Sequence, residues 1–443
     1  MKKPSLKHHD LKNTNRSVVL NLILKNQPIS RIHLSSLAGL THGTVGKLVN
    51  ELINCGLVAE IGSDTTTKRL GGPNPILLNI TNGPLCVAAI HIGVTFLSVG
   101  LVSLNAKMLD YETCDLDRKW DVETLLAKTI DTLQRIVLRQ NLNFPADILG
   151  IGVCVGGIVD SETGTVCWHD IPFMRNMPLR KLLEEKTNKP IFVDNVINAQ
   201  ALTESIFGCG QSSDSFVFIL IAGIVGCATI INGQIIQGHR HSAGQIGHIV
   251  VDPNGLLCSC GQHGCLQTVT THRSVLSRAR ELFETNTSPY LKKLVSSSAE
   301  ITKQTIITAA KMGDAECTKI LELRGQYIGQ SIAQIVNLID PAAIFLGIYV
   351  PNPKYFPSSP SNKNYIEEPS VNEADYILSD IEMNSLMINY TNSAYFKANL
   401  IQPEFIVLGH ESTIIASATI AINKIFSDDF NSASLFSSDI TNE

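Results

Sequence analysis

His248, Cys258, Cys260 and Cys265 fall within eighteen residues in the pattern H-x9-C-x-C-x4-C. Three thiolates and one imidazole at that spacing suit a closed, tetrahedral zinc site of the structural kind. Gly255, Gly261 and Gly264 let so short a loop turn around an ion. Three thiolates leave a bound ion little Lewis acidity, so its expected role is to hold the loop. His263 competes as the fourth ligand, and His248 is preferred. The rival reading is three reduced cysteines in an ordinary loop.

A second group has the chemistry of a polyanion contact. Thr41, His42, Thr44, Lys47 and Asn50 share the polar face of one segment. Its Val45, Leu48, Val49, Leu52 and Ile53 form a continuous apolar stripe at helical spacing. Other elements must hold that segment. Val19, Leu22 and Ile23 predict a helix over about residues 15–26, ended by Pro28. Ser30 caps a second helix with Leu34, Leu37 and Ala38 on its inner face. Gly39 ends it, Thr41 caps the third, and Gly56 terminates that. The pattern is a helix-turn-helix. Strand-like runs at 57–61 and 76–80 flank a glycine-rich tip holding Lys68 and Arg69. That tip reads as a wing able to place cations on phosphates or in a minor groove. The expected major-groove contacts are Arg31, Thr41, His42, Thr44 and Lys47, with Lys68 and Arg69 at the wing. A three-helix protein-docking module is the alternative.

Charge supports the DNA reading. Residues 1–80 hold ten Lys/Arg against four Asp/Glu, a net of +6, while the remainder is at −11. A basic head on an acidic body points to a polyanion for the head alone. At 443 residues, 44% hydrophobic and 17% charged, the chain is long and apolar enough for two or three folded domains. The apolar run 216–231 contains Gly223 and Gly226 and is short of a membrane span, so it reads as strand–turn–strand. No membrane insertion is expected. An odd count of 11 cysteines without a secretory signal predicts a reduced, cytoplasmic protein.

The segment from Pro28 to Thr41, with Thr44-Val45, Leu48-Val49 and Gly56-Leu57-Val58, resembles the winged helix of the ROK repressors (repressor, open reading frame, kinase). The subgroup suggested is that of the N-acetylglucosamine repressor and its glucose-responsive relative. The histidine–cysteine loop is similar to that family's zinc signature. The resemblance spans about residues 10–350 and returns at 406–422. It implies an α/β chain in which an N-terminal winged helix-turn-helix precedes a two-lobed actin/hexokinase-like (ribonuclease H-like) body. The implied divisions are residues 1–82 for the DNA-binding head and 83–430 for the effector and oligomerisation body. A zinc loop at 244–267, a turn-rich insertion at 351–375 and a tail at 431–443 complete the plan.

The resemblance also supplies kinase landmarks, and this chain departs from them. Where the family's first phosphate turn carries Asp and Gly, His91 and Val94 stand in Ile90-His91-Ile92-Gly93-Val94-Thr95. The second turn reads Ala222-Gly223-Ile224-Val225-Gly226-Cys227-Ala228, with one glycine in register. In Asp194-Asn195-Val196-Ile197-Asn198, Val196 occupies the position of the general base, and valine cannot accept a proton. Two sugar-holding carboxylates of the family are amides here, Gln245 and Gln267. Phosphoryl transfer is therefore not expected, and no catalytic residue is assigned. Gly157, Asn195, Asn198, Gln245, His248 and Gln267 are the expected lining of an effector pocket beside Gly156-Gly157.

The expected function is a sequence-specific transcriptional regulator, a repressor of carbohydrate uptake or metabolism genes, sensing a small carbohydrate-type effector. Its expected partners are double-stranded operator DNA, further copies in a homodimer or homotetramer, and a sugar-transport protein. An ATP-dependent sugar kinase with a regulatory head, or a protein-binding scaffold, are the alternatives.

Overall fold

The computed structural model describes residues 8–64, 74–349, 378–395, 397 and 400–427. Lys68, Arg69, the 351–375 insertion and the 431–443 tail lie outside the described residues. The chain forms two compact units. The first runs to Gln211 and resumes at Thr413; the second spans Ser212–Ser412.

The first unit opens with α1 (His8–Asn26), β1 (Ile29–Ser30), α2 (Arg31–Ala38), α3 (His42–Asn54), β2 (Val58–Ser63) and β3 (Ile76–Ile80). The caps lie where the sequence places them. Ser30 Oγ accepts from His33 N at 3.3 Å and Thr41 Oγ1 from Thr44 N at 3.2 Å. Gly39 closes α2 with φ 64°, a left-handed conformation that glycine adopts without strain. The strands form a sheet in the order β1-β3-β2, which completes a winged helix. Two expectations change. α1 starts earlier than its apolar spacing predicts, at His8, and the added residues bring Lys12 onto Glu51 of α3 beside Arg16. Leu37 is 47% exposed; Ser35 takes the inner position beside Leu34, its Oγ donating to Leu40 O.

The chain continues through β4 (Cys86–Ile92), β5 (Phe96–Ser103), β6 (Met108–Asp115), α4 (Val122–Arg139), β7 (Ile148–Val155), β8 (Ile158–Asp160), β9 (Thr165–Trp168), α5 (Leu179–Thr187), β10 (Ile191–Asn195) and α6 (Val196–Phe207). Five strands make one sheet in the order β10-β7-β4-β5-β6. The antiparallel β4–β5–β6 meander joins parallel β7 and β10. β4 and β5 are buried along their whole length, as interior strands covered on both faces must be. The outer strand β6 instead carries Asp110 and Glu112, paired with Arg139 and Arg135 of α4, and charge there blocks edge pairing.

The second unit contains β11 (Phe216–Ile221), β12 (Val225–Ile231), β13 (Gln234–Ile235), α7 (Gln267–Thr270), α8 (His272–Glu284), α9 (Pro289–Leu294), α10 (Lys303–Lys311), α11 (Ala315–Ile339), β14 (Ala343–Tyr349), α12 (Asp380–Ser393) and β15 (Glu404–Leu408). Helix α13 (His410–Phe426) follows. The apolar run 216–231 is the antiparallel β11–β12 pair, and the sheet order is β13-β12-β11-β14-β15. Among the described residues, no helix is long and apolar enough to cross a membrane. Gly325 and Gly329 let α11 touch α12, since an added Cβ would lie 2.1 Å from Glu382 O and 2.2 Å from Leu386 O. Beside them Glu382 receives Lys303 Nζ at 2.8 Å and Arg324 Nη1 at 2.6 Å, all three side chains buried.

The expected boundary at residues 82/83 falls inside the first unit. Val19, Leu20, Ile23 and Leu24 of α1 share one apolar cluster with Val87, Ala89, Val102 and Leu104 of the meander and with Ile422, Ile425 and Phe426 of α13. Asn21 Nδ2 donates to Phe426 O at 2.6 Å. Phe426→Ala is expected to cost about 3–5 kcal/mol, the usual range for a buried aromatic truncated to alanine. Head and first lobe should then melt together in differential scanning calorimetry. A separate early transition of the head would show that the shared cluster does not couple them.

Candidate functional site

On α3, Thr41, His42, Lys47 and Asn50 are exposed and Thr44 is half-buried, while Val45, Leu48, Val49 and Leu52 are buried. The expected polar face is thus free of the protein core. Thr41 and Thr44 are engaged in the cap, their hydroxyls 2.9 Å apart. Arg31, expected at the groove, lies against the protein. Its Nη1 donates to Glu60 Oε1 at 2.6 Å and its Nη2 to Asn50 Oδ1 at 3.1 Å.

In the second unit, donor atoms of His248, Cys258, Cys260 and Cys265 all lie within 4.8 Å of one another. Cys260 Sγ is 3.6 Å from Cys265 Sγ, and Cys258 Sγ is 3.6 Å from His248 Nδ1. Ligands about 2.3 Å (S) and about 2.05 Å (N) from one ion at tetrahedral angles would stand roughly 3.5–3.8 Å apart. The residues therefore fit a metal ion. Burial raises the Cys258 thiol, but donors from Cys260, Cys265 and Gln267 outweigh it and bring it down. Burial and the neighbouring thiols push Cys265 up. Crowded thiolates need a cation to ionise together. His263 stands outside this cluster: it is exposed and its Nδ1 lies 3.0 Å from Gly255 O. Gly264 holds the loop closed with φ 68°, and a side chain there would strike Asp252 O.

The six expected effector residues divide between the units. In the first, β10 ends at Asn195, which caps α6: its Oδ1 accepts from Ile197 N at 2.7 Å while its Nδ2 donates to Gly157 O at 2.5 Å. Asn198 Nδ2 donates to Asp194 Oδ1 at 2.9 Å. Val196 is buried. In the second unit Gln245 is exposed, and His248 and Gln267 both face Cys258, Gln267 Nε2 at 3.2 Å. Gln267 thus supports the metal loop.

Sequence reasoning missed His169. It is 1% exposed; its Nδ1 accepts from Ile171 N at 3.0 Å, so the neutral ring carries its proton on Nε2. Among the described residues Nε2 has no hydrogen-bond partner, and it lies 3.8 Å from where a Gly156 side chain would begin. Burial pushes this imidazole down to about 4.

Both glycine-rich turns are filled or reshaped. His91 Nδ1 is hydrogen-bonded to Thr413 Oγ1 at 2.8 Å, and its ring meets Phe96 edge-on at 5.0 Å. Between β11 and β12 the turn closes with Ala222 N donating to Ile224 O, and Gly226 lies within a strand.

The ROK family model matches residues 87–375. A xylose repressor of Caldicellulosiruptor bescii is 31% identical over 77% of this chain and 84% of its own. The DNA-binding transcriptional repressor Mlc of Escherichia coli is 29% identical over 76% and 81%. A solved ROK family transcriptional regulator, a homologue of that MLC protein, covers 96% of this chain and 99% of its own, with TM-score 0.73 at 24% identity. A ROK glucokinase from Streptomyces griseus covers 75% and 98%, with TM-score 0.58 at 21% identity, and shares the body's fold. Family model, relatives and architecture agree: this chain belongs to the ROK family.

Proposed function

We propose that this chain is a DNA-binding transcriptional repressor of carbohydrate uptake or metabolism genes, with a body that senses a sugar and does no phosphoryl transfer. The observation that carries the reading is the exposed polar face of α3, with His42, Lys47 and Asn50 turned from the core of a basic winged helix. Relatives named as xylose repressor, Mlc and N-acetylglucosamine repressor support repression with a sugar as its signal. His42 and Lys47 are the groove contacts, with Thr41 and Thr44 at the helix start, and Lys68 and Arg69 at the wing. The body is not an enzyme: Val196 replaces the base, and His91 with Phe96 fills the first phosphate turn.

His248, Cys258, Cys260 and Cys265 would hold a zinc ion, which when bound cross-links its loop. Gly157, Asn195, Asn198, Gln245, His248 and Gln267 belong to the effector region, with His169 as a further donor beside Gly156. The protein acts in the cytoplasm as a homodimer or homotetramer on a two-fold operator.

The test is selection of bound sequences from a random DNA pool at near-physiological salt, where unspecific binding is weak. A recovered palindrome supports the proposal. The absence of any motif from folded, zinc-loaded protein overturns it in favour of a docking module. Lys47→Ala is expected to weaken binding to the selected site by about tenfold or more, read by fluorescence anisotropy. No turnover is expected with ATP and a panel of aldoses; turnover above background would overturn the role given to Val196.

A further inference from the structure

We propose that Asn50 is a base-reading residue of this head and that Arg31 is its positioning residue rather than a DNA contact. The proposal rests on the DNA-binding reading above and names the base edge it recognises.

Arg31, at the start of α2, touches two elements at once. Nη1 binds Glu60 of β2 at 2.6 Å and Nη2 binds Asn50 of α3 at 3.1 Å. A guanidinium offers only donors, so the Asn50 amide must turn its oxygen toward Arg31. The orientation of that amide follows from chemistry alone. Among the described residues its Nδ2 has no partner, and Asn50 is exposed.

The position suits contact. At about 100° per residue, Asn50 lies among Gly43, Gly46 and Lys47 on the outer face of α3. A side chain added at Gly43 or Gly46 would meet nothing within 4 Å. The helix surface is flat there, so a flat partner can approach the backbone with Asn50 standing out from it. The Arg31–Glu60 pair is itself 28% and 41% exposed, and such a pair adds little to stability. Its consequence is orientation.

That orientation selects a ligand chemistry. A free asparagine reads adenine with both amide atoms, one donating and one accepting. Here Oδ1 is engaged by Arg31, and two N–H donors remain. They match a base edge with adjacent acceptors in the major groove, which is the N7 and O6 edge of guanine.

The experiment measures the binding of wild-type protein, Asn50→Ala, Arg31→Ala and the double variant to the selected operator and to operators changed one base pair at a time. Asn50→Ala is expected to flatten the preference for one G·C pair in each half-site by about tenfold, leaving the other positions unchanged. Arg31→Ala should flatten the same position, and the double variant should be no worse there than Asn50→Ala, because the two act as one unit. Arg31→Lys, which keeps the charge but loses the fork, should behave like Arg31→Ala and guards against a folding defect. Uniform loss across all sequences on changing Arg31, with a shallower salt dependence, would make it a phosphate contact and overturn the proposal. So would an unchanged base profile in Asn50→Ala. A wild-type protein that selects no motif overturns the DNA reading itself, an outcome distinct from either.

Discussion

Cys258→Ser protein is expected to lose its bound metal and the order of the 244–267 loop, with the melting temperature of the second unit falling by roughly 10–20 °C. Beyond the four donors the loop is held by short-range backbone bonds and by buried residues near its two ends. Its backbone pairing consists of isolated bridges, Val250 with Cys265 and Leu257 with His263, and of short-range bonds such as Cys258 N to Gln262 O and Gly264 N to Leu256 O. Ile246 and Leu266 are buried near its ends, but Ile249, Val250, Leu256 and Leu257 between them are exposed. Structural zinc contributes about 10–16 kcal/mol of apparent binding free energy in small metal-dependent domains. Even half of that exceeds what a few loop hydrogen bonds supply, and about 5 kcal/mol moves a domain of this size by roughly 10–20 °C. Metal analysis should find one zinc per wild-type chain and almost none in Cys258→Ser. Removal by a strong chelator should reproduce the variant's melting curve. A variant that keeps its metal, or a chelated protein that melts like the wild type, would contradict the assignment. His263→Ala should leave metal content unchanged, because His263 stands outside the cluster.

Glu382→Ala should be among the most damaging single changes in the chain, at about 3–5 kcal/mol, since it strands two buried cations. Lys303 and Glu382 have no exposed surface, and Arg324 has 3%. Glu382 also accepts from Ser379 N at 2.6 Å and Ser379 Oγ at 2.7 Å, so it caps α12 while binding α10 and α11. Arg324 Nε donates onward to Thr270 O at the end of α7. Burial alone would raise this carboxyl; Arg324 and Lys303 outweigh it and hold it at about 2. A depressed carboxyl stabilises the fold above its unfolded value of about 4.3 and stops doing so as pH falls toward 2. Wild-type stability to urea should therefore drop between about pH 4.5 and pH 2, by on the order of 3 kcal/mol from this group. Glu382→Gln should start less stable and show a shallower drop over the same interval. Parallel acid profiles for the two proteins would remove Glu382 as the cause.

The local signals in the chain were readable because their causes are local. Ser30, Gly39 and Thr41 set the boundaries of α2 and α3 through contacts a few residues away. The metal cluster was legible because its donor types and spacing fit one ion. What eluded the sequence is made by long-range pairing. Arg31 reads from its own segment as a groove contact; its hydrogen bonds to Asn50 and Glu60, 19 and 29 residues on, are made only by the fold. Glu382 gave no signal of its own: its cation Arg324 lies 58 residues away. Gln267 is expected in the effector pocket on resemblance; its 3.2 Å contact with Cys258 is made by the fold. Leu37 obeyed helical spacing but points outward, since a helix of eight residues buries little more than one side chain and a hydroxyl.

The apolar cluster that binds α1 to α13 and the meander also has a consequence for operator architecture. A head on a flexible tether tolerates half-sites at many separations, because the linker takes up the difference. This head has no such slack; it is built into the lobe that carries it. In a symmetric pair the distance and angle between two reading helices would be dictated by the surface that joins the bodies, far from any base. One extra base pair between half-sites turns the second by about 34–36° and shifts it by about 3.4 Å. The protein could not follow that displacement, so the strain would fall on the DNA as twist or bend. The chain would then measure spacing as strictly as it reads sequence.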